Sequence, residues 1–155
     1  MQPPRTAEVV NAEAVYGTVL ISSLLYVFSL KFSAWDTLAT TVEAVIVFFI
    51  AHVYAEIIAN QTGTLSTAVH DALVRSRGLL LAAVVPLTIM LLAALGIVSK
   101  DRAVTSAVWA SAVILGILGW FAVAPRSTKW WIRAIAALST AGLGLVLVAL
   151  KALTH

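Results

Sequence analysis

Cysteine is absent from this chain of 155 residues. That excludes a disulfide framework, a thiolate metal centre and a cysteine nucleophile. Charge is scarce as well. Asp, Glu, Lys and Arg make up 11% of the residues, where a soluble domain carries about 25%. So few charged groups cannot wet the surface of a water-soluble globule. Enzyme signatures are missing too: there is no HExxH, no GxSxG, no phosphate-binding glycine loop and no aspartate pair of the kind that holds Mg-diphosphate. No catalytic residue and no cofactor is therefore assigned.

What the chain has is apolar surface. Hydrophobic residues make up 61% of it, mean hydropathy is +1.01, and the apolar residues come in long blocks. That pattern points to a bilayer as solvent. The pI near 9.6 hints at nucleic acid, but a net charge of +3 is small. The basic residues stand singly or in pairs at the ends of the blocks, where lipid headgroups are expected. Nucleic acid is set aside. The opening MQPPRTAEVVNAEAVYG makes a poor secretory signal, because Glu8 and Glu13 spoil a basic leader. The first block is expected to be a retained span.

Five blocks are visible, at about 13–30, 37–60, 78–98, 103–124 and 130–150. Each is near the roughly 20 residues that a helix needs to cross the hydrocarbon. Strands of a membrane barrel would alternate in character, and none here do. The expectation is an all-α integral membrane bundle of five transmembrane helices, residues 1–155 forming one transmembrane domain. Short connectors, KFSAWD, SKDR and PRSTK, make successive helices antiparallel neighbours, with Asp36 or Thr37 placed to cap the second. The longer QTGTLSTAVHDALVRSR has a break at Gly63 and a cap at Ser66. It offers either an interfacial helix from Thr67 or a run straight into span three.

With the N-terminus inside, the cytoplasmic side holds Arg5, Arg75, Arg77, Arg126, Lys129 and Arg133, against Lys31, Lys100, Arg102 and Lys151 outside. This favours a cell-membrane protein with a cytoplasmic N-terminus. Trp35, Trp120, Trp130 and Trp131 sit near block ends, as interface anchors do, and Trp109 lies deeper. Pro86 interrupts span three, either as a tolerated membrane proline or as a hinge. Small residues recur in spans four and five (Ala112 and Gly116, Ala137 and Ala141, Gly142 and Gly144), which favours close helix approach.

The polar residues inside the blocks carry the functional question. In span two, His52 lies roughly 5 Å past the middle, Glu56 about 11 Å past it and Glu43 about 8 Å before it, at about 1.5 Å per residue. A charge at the centre of a membrane helix costs at least about 2.5 kcal/mol, so these groups are expected to face protein or water. His52 and Glu56 share one helical face; Glu43 and Tyr54 share another. Span two is therefore expected to be central, or to lie at a subunit contact. Folding spans one and two about KFSAWD brings Glu13 to the depth of Glu56, and Tyr16 or Gly17 to that of His52. Span five enters from the same side, with Arg133 about one turn in. Glu13, Tyr16, His52, Glu56 and Arg133 then form one polar layer. Thr18, Ser22, Tyr26 and Ser29 make a stripe leading from it. His70-Asp71 falls in the polar connector and reads as a solvated pair, and His155 carries no information.

Three readings of the layer stand side by side. It is a route for a proton or small cation. It is a structural clamp, with Arg133 neutralising a glutamate, in an accessory or scaffold protein. Or it is a metal site formed by Glu13, His52 and Glu56, a ligand set that suits Zn, Fe or Mn. Conduction in so short a chain implies a homo-oligomer, because five short helices enclose little room for a pore.

The segments 13-EAVYGTVLISSLL-25 and 48-FFIAHVYAE-56 resemble those of small, uncharacterised bacterial integral membrane proteins of five spans. These share an Ala-Val-Tyr-Gly opening and a His-Val-Tyr-Ala-Glu second span. The resemblance implies a membrane bundle and no activity. More distantly, a first span opening on Glu-Ala and a late histidine in the second are similar to the bacterial lysosomal-type potassium channels. Where that family has Phe-Ser-Asp, this chain has Val15-Tyr16-Gly17, and the preceding arginine is missing. The likeness implies channel-like ion passage and supplies no pore residue.

Overall fold

The structure, a computed structural model, describes residues 12–59, 64–124 and 128–153, with side chains described at 13–59, 64–124, 128–142 and 146. Arg5, Glu8, Gly63, Arg126 and His155 lie outside the described residues, as does the side chain of Lys151. The elements are five helices: α1 (Ala12–Ser29), α2 (Ala34–Ala59), α3 (Leu65–Ala94), α4 (Lys100–Val123) and α5 (Trp130–Leu153). There is no strand among the described residues. The all-α expectation holds. Among the described residues α2, α3 and α4 are long and apolar enough to cross a membrane, and these point to a membrane protein. Five crossings are not supported on that measure. The apolar part of α1, Glu13–Ser29, is shorter, and α5 is not among the three.

The helix ends differ from those expected, for local reasons. The second helix starts at Ala34 because Ser33 caps it: its Oγ accepts from Asp36 N at 3.2 Å and donates to Asp36 Oδ2 at 2.6 Å. Ser33 is thus the side-chain N-cap, and Asp36 is the third residue of the first turn and not the cap. Thr37, the other expected cap, is buried. The connector after α2 forms no separate interfacial helix; α3 is one helix of 30 residues. Its cap is Thr64, whose side chain accepts from Thr67 N, and not Ser66. It runs unbroken past the buried Pro86. It stops four residues before the expected end because Gly96 adopts φ +76°, open to glycine without strain. Gly96 N then donates to Ala93 O and Ile97 N to Leu92 O, both at 3.0 Å, the paired bonds of a Schellman stop.

The centre of the bundle is α1, which touches each of the other four helices. Ala14, Gly17, Thr18, Ile21, Ser22, Leu25 and Ser29 are buried along it, at the three-and-four spacing of one helical face. One cluster joins Ile21 to Val45 of α2 and to Leu79, Ala82 and Ala83 of α3. A second joins Leu25 and Tyr26 to Met90 and Ala93 of α3 and to Ala103, Val104 and Ala107 of α4. Lys100 ties the far end: its Nζ donates to Ser29 O at 2.9 Å and Phe32 O at 3.1 Å, placing a cation on the carbonyls at the end of α1.

The expectation that the second helix is central is therefore corrected within the chain. Only Thr37, Thr41 and Val45 of α2 are buried, and Glu43 and Tyr54 are exposed. Depth along a helix does not fix which helix takes the centre. That place goes to the chain with small and hydroxyl side chains on one face.

The pair α4 and α5 meets through small residues. A Cβ on Gly116 would sit 3.6 Å from Ala141 Cβ and 3.8 Å from Ala137 O, an ordinary contact. A Cβ on Gly119 would sit 2.7 Å from Ala136 O and 2.9 Å from Thr140 Cβ, where nothing fits. Gly119→Ala is thus expected to destabilise the protein by about 1–3 kcal/mol, while Gly116→Ala is tolerated. Thermal unfolding of both variants in detergent checks this; equal midpoints would refute the close approach.

Candidate functional site

The inner face of α2 begins with Thr37, Thr41 and Val45 and continues through Phe49, which packs on the Ile21 cluster. The same three-and-four spacing leads on to His52 and Glu56. At this level the first turn of α1 presents Glu13. One ligand atom from each of Glu13, His52 and Glu56 lies within 4.8 Å of the other two, and all three residues are half-buried. The hairpin about residues 30–33 makes this happen, since two antiparallel helices pair residues equally far from their turn.

Two atoms of the cluster are unusual. Glu13 Oε2 and His52 Nε2 are buried and have no hydrogen-bond partner among the described residues. A buried polar atom left unpaired costs about 1–3 kcal/mol, so such atoms mark either strain or a missing ligand. Glu56 is more open, its side chain 27% exposed, and its Oε2 lies 4.0 Å from Arg75 Nη1 of α3. Arg75 is itself 63% exposed, which weakens the pair by solvent screening. Sequence reasoning counted Arg75 only as a headgroup-facing charge. It left open whether the connector runs straight into span three, and without that choice the approach to Glu56 could not be drawn.

Two expected members stand elsewhere. Tyr16 is 52% exposed, because the face of α1 that points inward at this level belongs to Gly17. A Cβ there would lie 3.1 Å from Leu79 Cα. Tyr16, about 100° around the helix from Gly17, turns outward. Arg133 holds the end of α4: its Nη2 donates to Ala124 O at 3.1 Å. The guanidinium beside Glu56 is that of Arg75.

The stripe on α1 is packed and not open. Thr18 donates to Ala14 O, Ser22 to Thr18 O and Ser29 to Tyr26 O, each at 2.7 Å. Ser22 Oγ also lies in hydrogen-bond contact with Ser111 Oγ of α4, at 2.6 Å. Tyr26 is buried in the cluster with Met90. These hydroxyls satisfy themselves on their own helix and across one seam, as in membrane helix packing. His70 and Asp71 are exposed on the first turns of α3, as solvated groups are. Phe49, Ile50, Val53, Tyr54, Ile57 and Leu73 line an open groove of about 310 Å³ between α2 and α3.

Comparison with known protein families, curated proteins and solved structures finds no match for this chain.

The orphaned atoms separate a binding layer from a clamp. Removing a member of a buried clamp costs about 3–5 kcal/mol. Glu13→Gln, which removes a charge whose Oε2 has no partner among the described residues, is expected to change the stability of the ion-free protein by less than about 1 kcal/mol. Thermal denaturation in chelator-treated detergent measures it; a loss on the clamp scale would show that Glu13 holds the fold together.

Proposed function

We infer that this chain is a multi-pass membrane protein that takes up a small cation or proton in the Glu13–His52–Glu56 layer and passes it across the membrane. The observation that carries the reading is the pair of buried atoms on Glu13 and His52 that have no partner among the described residues, set within a cluster of three ionisable groups. Ionisable groups inside membrane segments are expensive, and a bound cation or a mobile proton offsets that cost.

The reading includes five crossings and a cytoplasmic N-terminus. In support, α1 lies along α3 and α4, both long enough to cross, and spans roughly 27 Å at about 1.5 Å per residue. Arg75, Arg77, Lys129 and Arg133 belong to the end that carries the layer, and this favours that end as the inner side. It also includes a homo-oligomer. The hydroxyl stripe on α1 is sealed by packing, so the rest of the path is assigned to the contact between copies, along α2.

A second reading has one observation in its favour. The Arg75–Glu56 approach at 4.0 Å is what an accessory or scaffold protein with a structural ion pair would show. Proteoliposomes distinguish the two. A proton- or cation-dependent flux that is lost in His52→Ala and in Glu56→Gln is expected. Flux equal to protein-free liposomes, with both variants less stable than the parent, would give the case to the scaffold.

A further inference from the structure

We propose that Glu13, His52 and Glu56 form a three-ligand site for a divalent first-row transition metal ion of the Zn, Mn or Fe class. The inference rests on the cation-binding reading of the same layer and names the cation.

Donor chemistry makes the first selection. One imidazole nitrogen and two carboxylates suit Zn, Fe and Mn. Calcium takes six to eight oxygens and magnesium keeps most of its waters, so neither uses the imidazole. Among the described residues the site offers no sulfur donor; cysteine is absent and Met90 is buried in the core cluster at the other end of α1. That argues against Cu(I), which soft ligands select.

Geometry makes the second. Metal–ligand bonds of about 2.0–2.2 Å hold neighbouring ligand atoms roughly 3.3 Å apart. The three atoms here lie within 4.8 Å of one another, so closing the site takes shifts on the order of 1 Å, within the rotamer freedom of a glutamate. His52 and Glu56 are four apart on one helix and Glu13 comes from another, so the ion would join α1 to α2. Glu13 Oε2 and His52 Nε2, which have no hydrogen-bond partner among the described residues, leave a donor atom open on two of the three side chains.

Charge makes the third. Two carboxylates and a neutral imidazole carry two negative charges, which a divalent ion balances and a monovalent ion does not. In a half-buried site beside an apolar core that balance weighs more than it does in water. Arg75 sits 4.0 Å from Glu56 on a largely exposed side chain. It is the cation that competes with an incoming ion for Glu56.

The test uses the full chain purified in detergent without a histidine tag, treated with Zn²⁺ alone or Mn²⁺ alone, desalted and subjected to elemental analysis. About one ion per chain is expected. Glu13→Gln, close in size to the parent residue, and His52→Ala should each weaken binding by at least about tenfold, while His70→Ala, a surface control, should not. Arg75→Ala should bind at least as tightly as the parent. Metal below about one ion per ten chains, or binding undiminished in both Glu13→Gln and His52→Ala, would overturn the site. Circular dichroism of the variants shows that they fold. The two proposals fail separately. Proton or potassium flux in a protein that holds no metal removes the metal site and leaves passage. Stoichiometric metal without any flux removes passage and leaves the site.

Discussion

The close approach of α1 to α3 at Gly17 positions the rest of the bundle. A single added carbon there would lie 3.1 Å from Leu79 Cα and 3.4 Å from Ala82 Cβ, so the two helices touch almost backbone to backbone. In a bilayer no hydrophobic effect drives one helix onto another, and contact area through small residues takes its place. Below Gly17 the same face of α1 carries Thr18 and Ser22. Both return their hydroxyl protons to their own helix, and Ser22 reaches Ser111 across the seam with α4. A face of glycine, alanine and self-satisfied hydroxyls packs as densely as an apolar one, with no polar group exposed to lipid.

That arrangement explains the position of the carboxylates. With α1 at the centre, Glu13 enters the bundle at the top of its packed face, one turn before Gly17. The inner face of α2 meets the same seam from outside. His52 and Glu56 therefore lie beside Glu13 at the margin of the packed centre, half-buried, and not in its dry middle. A position at the margin keeps water and ions within reach of groups that would be prohibitive deeper inside.

Much of this was legible in the sequence. The five apolar blocks became the five helices, and the pairing of Glu13 with Glu56 follows from counting outward from the KFSAWD turn, which needs no knowledge of side-chain packing. Other features depended on local competition that a count does not reveal. Ser33 and Thr64 won the caps because each lies three residues before the amide it accepts from. Gly96 stopped α3 through a backbone angle, where the apolar run alone would carry it on to Val98. Tyr16 and Gly17 are neighbours, and depth could not say which of them faces inward; the tight contact with Leu79 admits only the glycine. Arg75 entered the neighbourhood of Glu56 because α3 begins at Leu65. A connector read as loop would have left that arginine among headgroups.

The outward face of α2 remains to be reconciled with a bilayer. Ile46, Val47 and Ile50 are exposed there, as lipid-facing residues are, but so are Glu43 and Tyr54. Glu43 belongs to a helix long and apolar enough to cross, within about 8 Å of its middle at about 1.5 Å per residue. Acyl chains against a carboxylate at that depth cost at least about 2.5 kcal/mol. A single copy surrounded by lipid would bear that cost at an exposed Glu43. A second copy laid against this face would replace acyl chains with protein, and copies inserted the same way up would bring the two Glu43 carboxyls to one level, where they repel unless a proton or cation lies between them. The homo-oligomer proposed for conduction would thus take Glu43 out of contact with lipid, with a shared proton or cation needed to relieve the repulsion between the two carboxyls.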